Sequence, residues 1–487
     1  MRSRTSFFRW RATFLIAVVL MSAAASFAQS PLRVHTQEAN AIRADRANLN
    51  GMAFPGSNTA SVWFEWGTSR LYGNIVGRTN VSGGNRVITL RHMLTGLNPG
   101  YVYHTRLVAS NLTGVVFGAD RQFTLGGTVG VWGNPNFGHT VPPNDLTNAV
   151  SVSGGGDHCV ALRNDGTIAM WGGNAYGQKV IPPEVVEPIA VAAGQFHTLA
   201  LLPDGTVRAW GAGTSLSTFP DSSMQGGQSI VPAGLSNVVQ IAPGTTHSVA
   251  LKSDGTIAAW GSAFISFSFW SPLGQAQVPA GLSNVVSIAS GDFHSLALKA
   301  DGTVAVWGYN THGQGINPSG LSNVVAIACG WYNNLALKRD GTVFAWGAGT
   351  VNSGIPHYGQ SIVPPGLTNV AGVAGGGFYS LAWRTDGTAI GWGIDDFGQT
   401  SVMSSLNGVI ALSGGYDFSM ALLSSAPNEV ALRLQRIGGQ VRLDWLGGML
   451  QSAESVEGPY NDLFGEVPPL VFTPMELKRF YRVKVQP

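Results

Sequence analysis

Short runs in which apolar and polar residues alternate fill most of this chain, each run stopped by Gly, Asn or Asp-Gly. One unit reads cleanly over residues 285 to 314. Val285 to Ala289, His294 to Lys299 and Thr303 to Trp307 are each short and β-branched or alternating, which predicts three antiparallel strands. Asp301-Gly302 predicts the hairpin turn between the second and third, because Gly accepts positive φ and Asp bonds its own backbone. The equivalent turns carry Asp165, Asp204, Asp254, Asp340 and Asp386.

The unit repeats. Trp-Gly recurs at Trp132, Trp171, Trp210, Trp260, Trp307, Trp346 and Trp392. A second signal, Gly-x-x-(His or a substitute)-x-x-x-Leu, recurs at Gly155, Gly194, Gly244, Gly291, Gly330, Gly376 and Gly415, with Trp383 in place of the Leu in the sixth copy. Such a period is the signature of a repeat architecture. The first Trp-Gly strand, Thr128 to Trp132, precedes any Gly-x-x-His segment, and the last such segment, ending near Leu423, has no Trp-Gly strand after it. The two ends are therefore expected to complete one blade of a closed seven-bladed β-propeller, which leaves no long sheet edge exposed.

The flanks carry the same kind of pattern. Residues 31 to 125 show strand-like runs at Ser61 to Trp66 and Tyr101 to Ala109, and after Pro427 the runs Val430 to Arg436, Gln440 to Trp445 and Phe480 to Val485 alternate. The fold class predicted is all-β, with a sandwich over 31–125, a propeller over 126–426 and a small C-terminal β module over 427–487. The first 28 residues differ: Arg2, Arg4, Arg9 and Arg11 precede the apolar run Ala12 to Met21 and the small-residue stretch Ser22 to Ala28. That pattern predicts a secretory signal peptide, with Ser26-Phe27-Ala28 as cleavage site, and so a protein that is secreted, periplasmic or on the cell surface.

Composition sharpens this picture at four points. Hydrophobic residues make up 44%, charged residues only 11%, and there are 65 Gly, which suits short strands joined by tight turns. Removing the leader takes away four Arg and no acid, leaving 24 basic against 26 acidic residues, a balance that argues against a nucleic-acid partner. No later run approaches the roughly 20 apolar residues of a membrane-spanning helix. The two Cys, Cys159 and Cys329, fall in the first and fifth repeats, too far apart around a ring to form a disulfide.

These residues carry a resemblance. Ala289-Ser290-Gly291-Asp292-Phe293-His294-Ser295-Leu296-Ala297-Leu298 with Val304-Ala305-Val306-Trp307-Gly308 resembles regulator-of-chromosome-condensation repeats, in the short bacterial form also seen in the exported propeller-type β-lactamase inhibitor protein. The likeness covers about 126 to 426 and bears on fold rather than function. Leu97-Asn98-Pro99-Gly100-Tyr101-Val102-Tyr103 is similar to the tyrosine corner of a fibronectin type III sandwich.

Chemistry is hard to find in the repeats. His158, His197, His247 and His294 hold one position in four repeats, with Asn333, Tyr379 and Phe418 in the other three. Equivalent positions radiate around a wide axis, whereas metal ligands converge to about 2 Å from one ion. Each His is expected to tie its loop to a backbone carbonyl instead. The turn aspartates stand one per unit, unlike the six to eight gathered oxygens of a calcium site. The repeated Trp are expected in the core, and Asp395-Asp396 at a solvated loop tip. No catalytic residue, metal or cofactor is expected.

What remains is a surface. Between Gly and the His position lie Phe196, Phe293, Trp331, Tyr332, Phe378 and Tyr416, and the insertion Phe264 to Trp270 alternates Ser with Phe. Strand parity places these loops on one face, together with the connections after Trp210, Trp260 and Trp346, which are longer than the other four. The Asp-Gly turns and both domain junctions, near Gly126 and Ser425, fall on the opposite face. Large rigid aromatics are what binding hot spots use, and the resemblance implies binding through aromatics in these loops. The function expected is that of an exported, monomeric, non-catalytic binding or scaffold protein. Its partner is a protein or a cell-surface glycan, and inhibition of an extracytoplasmic enzyme is the alternative. The resemblance also raises guanine-nucleotide exchange, which export disfavours, and an unrecognised hydrolase stays open.

Overall fold

The computed structural model describes residues 30–214, 226–261, 274–402, 406, 408–424 and, beyond them, 431–437, 440–446, 449–453, 457, 459–462, 470–472 and 480–484. The leader, the Phe264 to Trp270 insertion and the residue Ser425 lie outside this set. Among the described residues nearly all regular structure is β, and no helix is long and apolar enough to cross a membrane.

The N-terminal region forms two sheets. β1 (Arg33–Arg43), β2 (Arg46–Phe54) and β5 (Ile88–Thr95) make one. β4 (Asn74–Val81), β3 (Ala60–Gly67), β6 (Val102–Asn111) and β7 (Gly114–Phe117) make the other, with β8 (Arg121–Thr124) paired to β6. Leu49, Phe64, Tyr103 and Leu107 bury between them. The Tyr103 hydroxyl accepts from Asn98 N at 2.8 Å and donates to Asn98 O at 3.0 Å, the local geometry expected from Leu97 to Tyr103.

Among the described residues, the repeat region forms seven three-stranded antiparallel sheets, one per repeat. Each reads as a blade: a first strand such as Val285–Ser290, a second such as His294–Lys299 and a third such as Val304–Gly308. At the Asp-Gly turn, Gly302 takes φ 77°, and Asp301 Oδ1 accepts the amide of Thr303 at 3.0 Å. All six turn aspartates make this bond, so they are spent on their own turns.

The seventh sheet joins the two ends of the repeat region. β9 (Thr128–Gly133) pairs with Phe418–Leu423, with Ser419 opposite Trp132 and Leu423 opposite Thr128, the pairing expected from a Trp-Gly strand ahead of the first Gly-x-x-His segment and none after the last. Sheet seven in turn lies against sheet one, where the Gly154 amide donates to Ser413 Oγ at 2.9 Å. The ring is therefore continuous.

The N-terminal sheets dock on the Asp-Gly face. Thr89 Oγ1 donates to Ser253 O at 2.6 Å, Asn284 Oδ1 accepts Val87 N at 3.1 Å, Arg121 donates to Val325 O at 3.0 Å, and Arg339 donates back to Phe117 O at 2.7 Å. Met52 and Val87 share a core with Val285 and Leu298 of the fourth blade. A cavity of about 730 Å³ remains between the two regions, lined in part by Arg70, Tyr72, Asp120, Arg121, Arg339 and Trp383. The ring is entered on this same face, where Gly127 and Ala149 bridge, and Ser424 bonds Gly408 O there on the way out. After the ring, Ala431–Ile437, Gln440–Leu446 and Leu470–Phe472 form one small sheet, and Asn461–Asp462, Met449–Ala453 and Phe480–Lys484 another.

Candidate functional site

On the face away from the N-terminal sheets, the seven loops between first and second strands meet around the axis. Their glycines set the spacing: a Cβ on Gly291 would lie 2.6 Å from Gly330 O of the next blade, closer than any real contact. With no side chain in the way, each loop reaches its neighbour through the backbone. Gly156 N donates to Gln195 O, Gln195 N to Gly244 O, Thr245 N to Asp292 O and Asp292 N to Trp331 O. Trp331 N then donates to Gly376 O, Gly377 N to Tyr416 O, and Tyr416 N to Gly155 O of the first blade. Seven hydrogen bonds thus close a circle.

A second set of bonds ties blade to blade beneath the loops. His158 Nε2 lies 2.9 Å from Thr198 Oγ1, His197 Nε2 2.9 Å from Ser248 Oγ, His247 Nε2 3.0 Å from Ser295 Oγ and His294 Nε2 2.8 Å from Asn334 Oδ1. Each of these hydroxyl or amide groups donates onward to a backbone carbonyl, for example Ser248 to Gln228 O at 2.9 Å, so the histidine must be the donor. The indole N–H of Trp260 ends on that same carbonyl at 2.9 Å. The expected histidine-to-carbonyl tie is therefore corrected: the partner is a polar side chain of the next blade, and the carbonyl is one step further on. Burial keeps these rings neutral, holding His197 and His247 down at about 3 and His294 at about 4. They are structural.

The aromatic residues of the inner loops are held on this frame. Trp331 stacks on Tyr416 with centroids 4.1 Å apart and planes 12° apart, and meets Phe378 edge-on at 5.6 Å. Tyr332 lies 5.8 Å from Phe378. Phe293 joins through Tyr309, which lies 6.4 Å from it and 6.1 Å from Tyr332. Phe196 stands apart, paired with Tyr176 at 5.1 Å. Of the six residues singled out in the sequence, four assemble directly, a fifth joins through a bridge and the sixth does not. Tyr416 is exposed, and Trp331, Tyr332 and Phe378 are half-buried.

Four further members come from the outer loops: Tyr309, His312, His357 and Tyr358. Tyr358 packs on Phe378 at 5.5 Å, and His312 lies 5.6 Å from Tyr332 and 5.5 Å from His357. His357 and Tyr358 stand on the short hairpin Asn352–Gly354 with His357–Tyr358, inside the long connection after Trp346. That connection supports one edge of the cluster.

One carboxylate sits among these rings. Asp292 is 5% exposed, accepts from the Thr245 hydroxyl and bonds the Tyr332 phenol. Burial pushes its pKa up to about 7 against the pull of those two bonds. Asp395 and Asp396 are exposed, and Asp395 Oδ1 accepts Thr400 N at 2.7 Å, which makes it a loop-tip residue. Cys159 and Cys329 are both unpaired. Among the described residues no group of three or more His, Cys, Asp or Glu is placed to hold a metal ion.

Comparison with known proteins bears on the ring. Residues 149–178, 189–215, 285–314 and 324–353 match the regulator of chromosome condensation (RCC1) repeat, so these blades are RCC1-type repeats of a β-propeller. None of the curated proteins compared matches the sequence. Among solved structures, the chain is similar to Prp20p from Saccharomyces cerevisiae, at 20% identity over 61% of this chain and 92% of that one, TM-score 0.47. It is also similar to human WBSCR16, at 18% identity over 61% and 99%, TM-score 0.48. A third likeness is to the ectodomain of the Physcomitrella patens receptor kinase CR4, at 19% identity over 60% and 81%, TM-score 0.43.

Proposed function

We propose that this protein is an exported, non-catalytic binding protein that presents the aromatic face of a seven-bladed propeller to a protein partner. The observation that carries this reading is the cluster of Trp331, Tyr332, Phe378 and Tyr416, half-exposed on a closed circle of backbone hydrogen bonds. Rigid aromatics lose little conformational entropy on binding and bury large areas, which is why they dominate hot spots. The opposite face is covered by the chain's own N-terminal sheets, and this directs a partner to the aromatic side.

In this reading residues 1–28 are a secretion leader that places the protein in the periplasm, at the cell surface or outside the cell. Residues 31–125 form a fibronectin type III-like sandwich, 126–426 the propeller and 427–487 a small β module of a monomer. Two N-terminal sheets, one of three strands and one of five, with the Tyr103 to Asn98 bonds, support the sandwich assignment. Inhibition of an extracytoplasmic enzyme is the form such binding takes when the partner's active site lies under the cluster.

The test is affinity capture from the producing cell's envelope and medium, followed by titration of the captured protein against variants. Tyr332 bonds Asp292, so Trp331→Ala with Tyr416→Ala is the cleaner pair. It is expected to weaken binding by about 2 kcal/mol or more with little change in melting temperature. Unchanged affinity, or a large loss of stability in its place, would return these rings to a packing role.

A further inference from the structure

The aromatic face is also acidic. The inner loops hold three carboxylates, Asp157, Asp292 and Asp417, and no Lys or Arg, and the connection after Trp392 adds the exposed pair Asp395 and Asp396. The nearby cation, Lys179, is turned away onto Gly172 O at 2.7 Å. A partner meeting this face meets negative charge and ring faces together.

Asp292 is the point where the two coincide. With Trp331 and Tyr416 it lines a small cavity of about 90 Å³ at the hub of the inner loops. A buried carboxylate is costly to the fold, since taking an ionised group out of water is unfavourable without a full charge partner. Among the described residues no Lys or Arg is paired with it. Its bonds to Thr245 and Tyr332 satisfy lone pairs but supply no charge. Ring faces attract ammonium and guanidinium groups through the aromatic quadrupole, and a carboxylate beside them acts in a medium of low dielectric.

We propose that the partner protein presents a lysine or arginine side chain to this face, received in the hub cavity beside the stacked rings of Trp331 and Tyr416 and directed at Asp292. This rests on the binding reading of the same face. It adds what the partner must carry: an exposed basic side chain on a segment narrow enough to enter among the loops, flanked by no acidic residues that would meet Asp157, Asp417 or Asp395.

The experiment is calorimetric titration of the full chain with the peptide acetyl-Lys-Gly-Lys-Gly-Lys-amide and with the same peptide acetylated at every Nε. The cationic peptide is expected to bind at least fivefold more tightly than the acetylated one. Asp292→Asn should remove about tenfold of that affinity, whereas Asp386→Asn on the opposite face should leave it unchanged. Equal binding of both peptides, no binding of either at millimolar concentration, or an unaffected Asp292→Asn variant would overturn the proposal. The peptide comparison needs no variant and so survives a folding defect in Asp292→Asn. With a captured partner, loss of affinity in Trp331→Ala/Tyr416→Ala but not in Asp292→Asn leaves the face as the binding site and removes the basic side chain from it.

Discussion

Trp331 and Tyr416 stack face to face although they belong to the fifth and seventh blades, with a whole blade between them. The loop of the sixth blade makes room for this by offering Gly377 where its neighbours carry Trp331 and Tyr416. A Cβ on Gly377 would lie 2.4 Å from Tyr416 O and 2.8 Å from its ring. Gly377→Ala is therefore expected to displace Tyr416 and break the stack, at a cost of about 1–3 kcal/mol. Near-ultraviolet circular dichroism reads the stack and chemical denaturation reads the cost; a variant unchanged in both would show that the loop yields freely.

Acid should destabilise the ring through its histidines. His197 and His247 titrate at about 3 when folded and near 6.5 when unfolded. Between those values the unfolded chain binds more protons, so stability is present above pH 6.5 and is lost as pH falls toward 3. Each ring contributes a slope of about 1.4 kcal/mol per pH unit in that window. His247→Asn copies the pair that Asn333 makes with Ser380 at 3.0 Å. It should shorten the slope measured by urea unfolding between pH 6 and 4 by one proton, and an unaltered slope would exclude His247 from the acid response.

Asp292 should act in the opposite direction. Its carboxyl titrates at about 7 when folded and near 4 when unfolded, so here the folded state binds the extra proton. Stability from this group is full below pH 4 and is lost as pH rises to 7. Asp292→Asn should match the parent at pH 4 and exceed it at pH 8 by about 2–4 kcal/mol. A variant less stable than the parent at pH 8 would mean that the carboxylate's bonds to Thr245 and Tyr332 outweigh its burial.

Ring closure is tested by two truncations that differ only in β9. A chain starting at Gly126 keeps Thr128 to Trp132, and one starting at Asn134 leaves Phe418–Leu423 without its third-strand partner. Both lack the N-terminal sheets, so their difference isolates the closing strand. Calorimetry should show one cooperative transition for the first and a lower, broadened one for the second. Equal transitions would show that the seventh sheet does not need β9.

The blades are legible because alternation and Asp-Gly turns act over a few residues, and the closing pair follows from the unmatched Trp-Gly strand at Trp132 and the unmatched segment that ends near Leu423. The relay between blades also leaves a trace in the sequence. The residue after each His position is Thr198, Ser248, Ser295, Asn334, Ser380 or Ser419, polar in six repeats, and Cys159 in the first. The blade before Cys159 is also the one whose His is replaced by Phe418, which stacks on His139 at 4.4 Å instead of donating. The aromatic cluster was only half legible. Trp331 and Tyr416 share one repeat position and Tyr332 and Phe378 the next, but Tyr309, His312, His357 and Tyr358 lie in connections of unequal length, where no register predicts which rings meet. Contact between blades five and seven depends on ring curvature and on glycines in blade six, which no local pattern encodes.

Because Thr128 and Leu423 are paired with each other, the ring's first and last residues sit side by side at one end of one two-strand ladder. Tension applied between the two junctions would load that ladder from its end, so that its bonds break in succession like a zipper and not together in shear. The N-terminal sheets, bonded to Ser253, Asn284 and Val325 on other blades, give the incoming chain other anchorages. A pull on the N-terminus is therefore spread over several blades before it reaches β9, whereas a pull on the C-terminal side falls directly on Leu423. The ring has a mechanically strong end and a weak one.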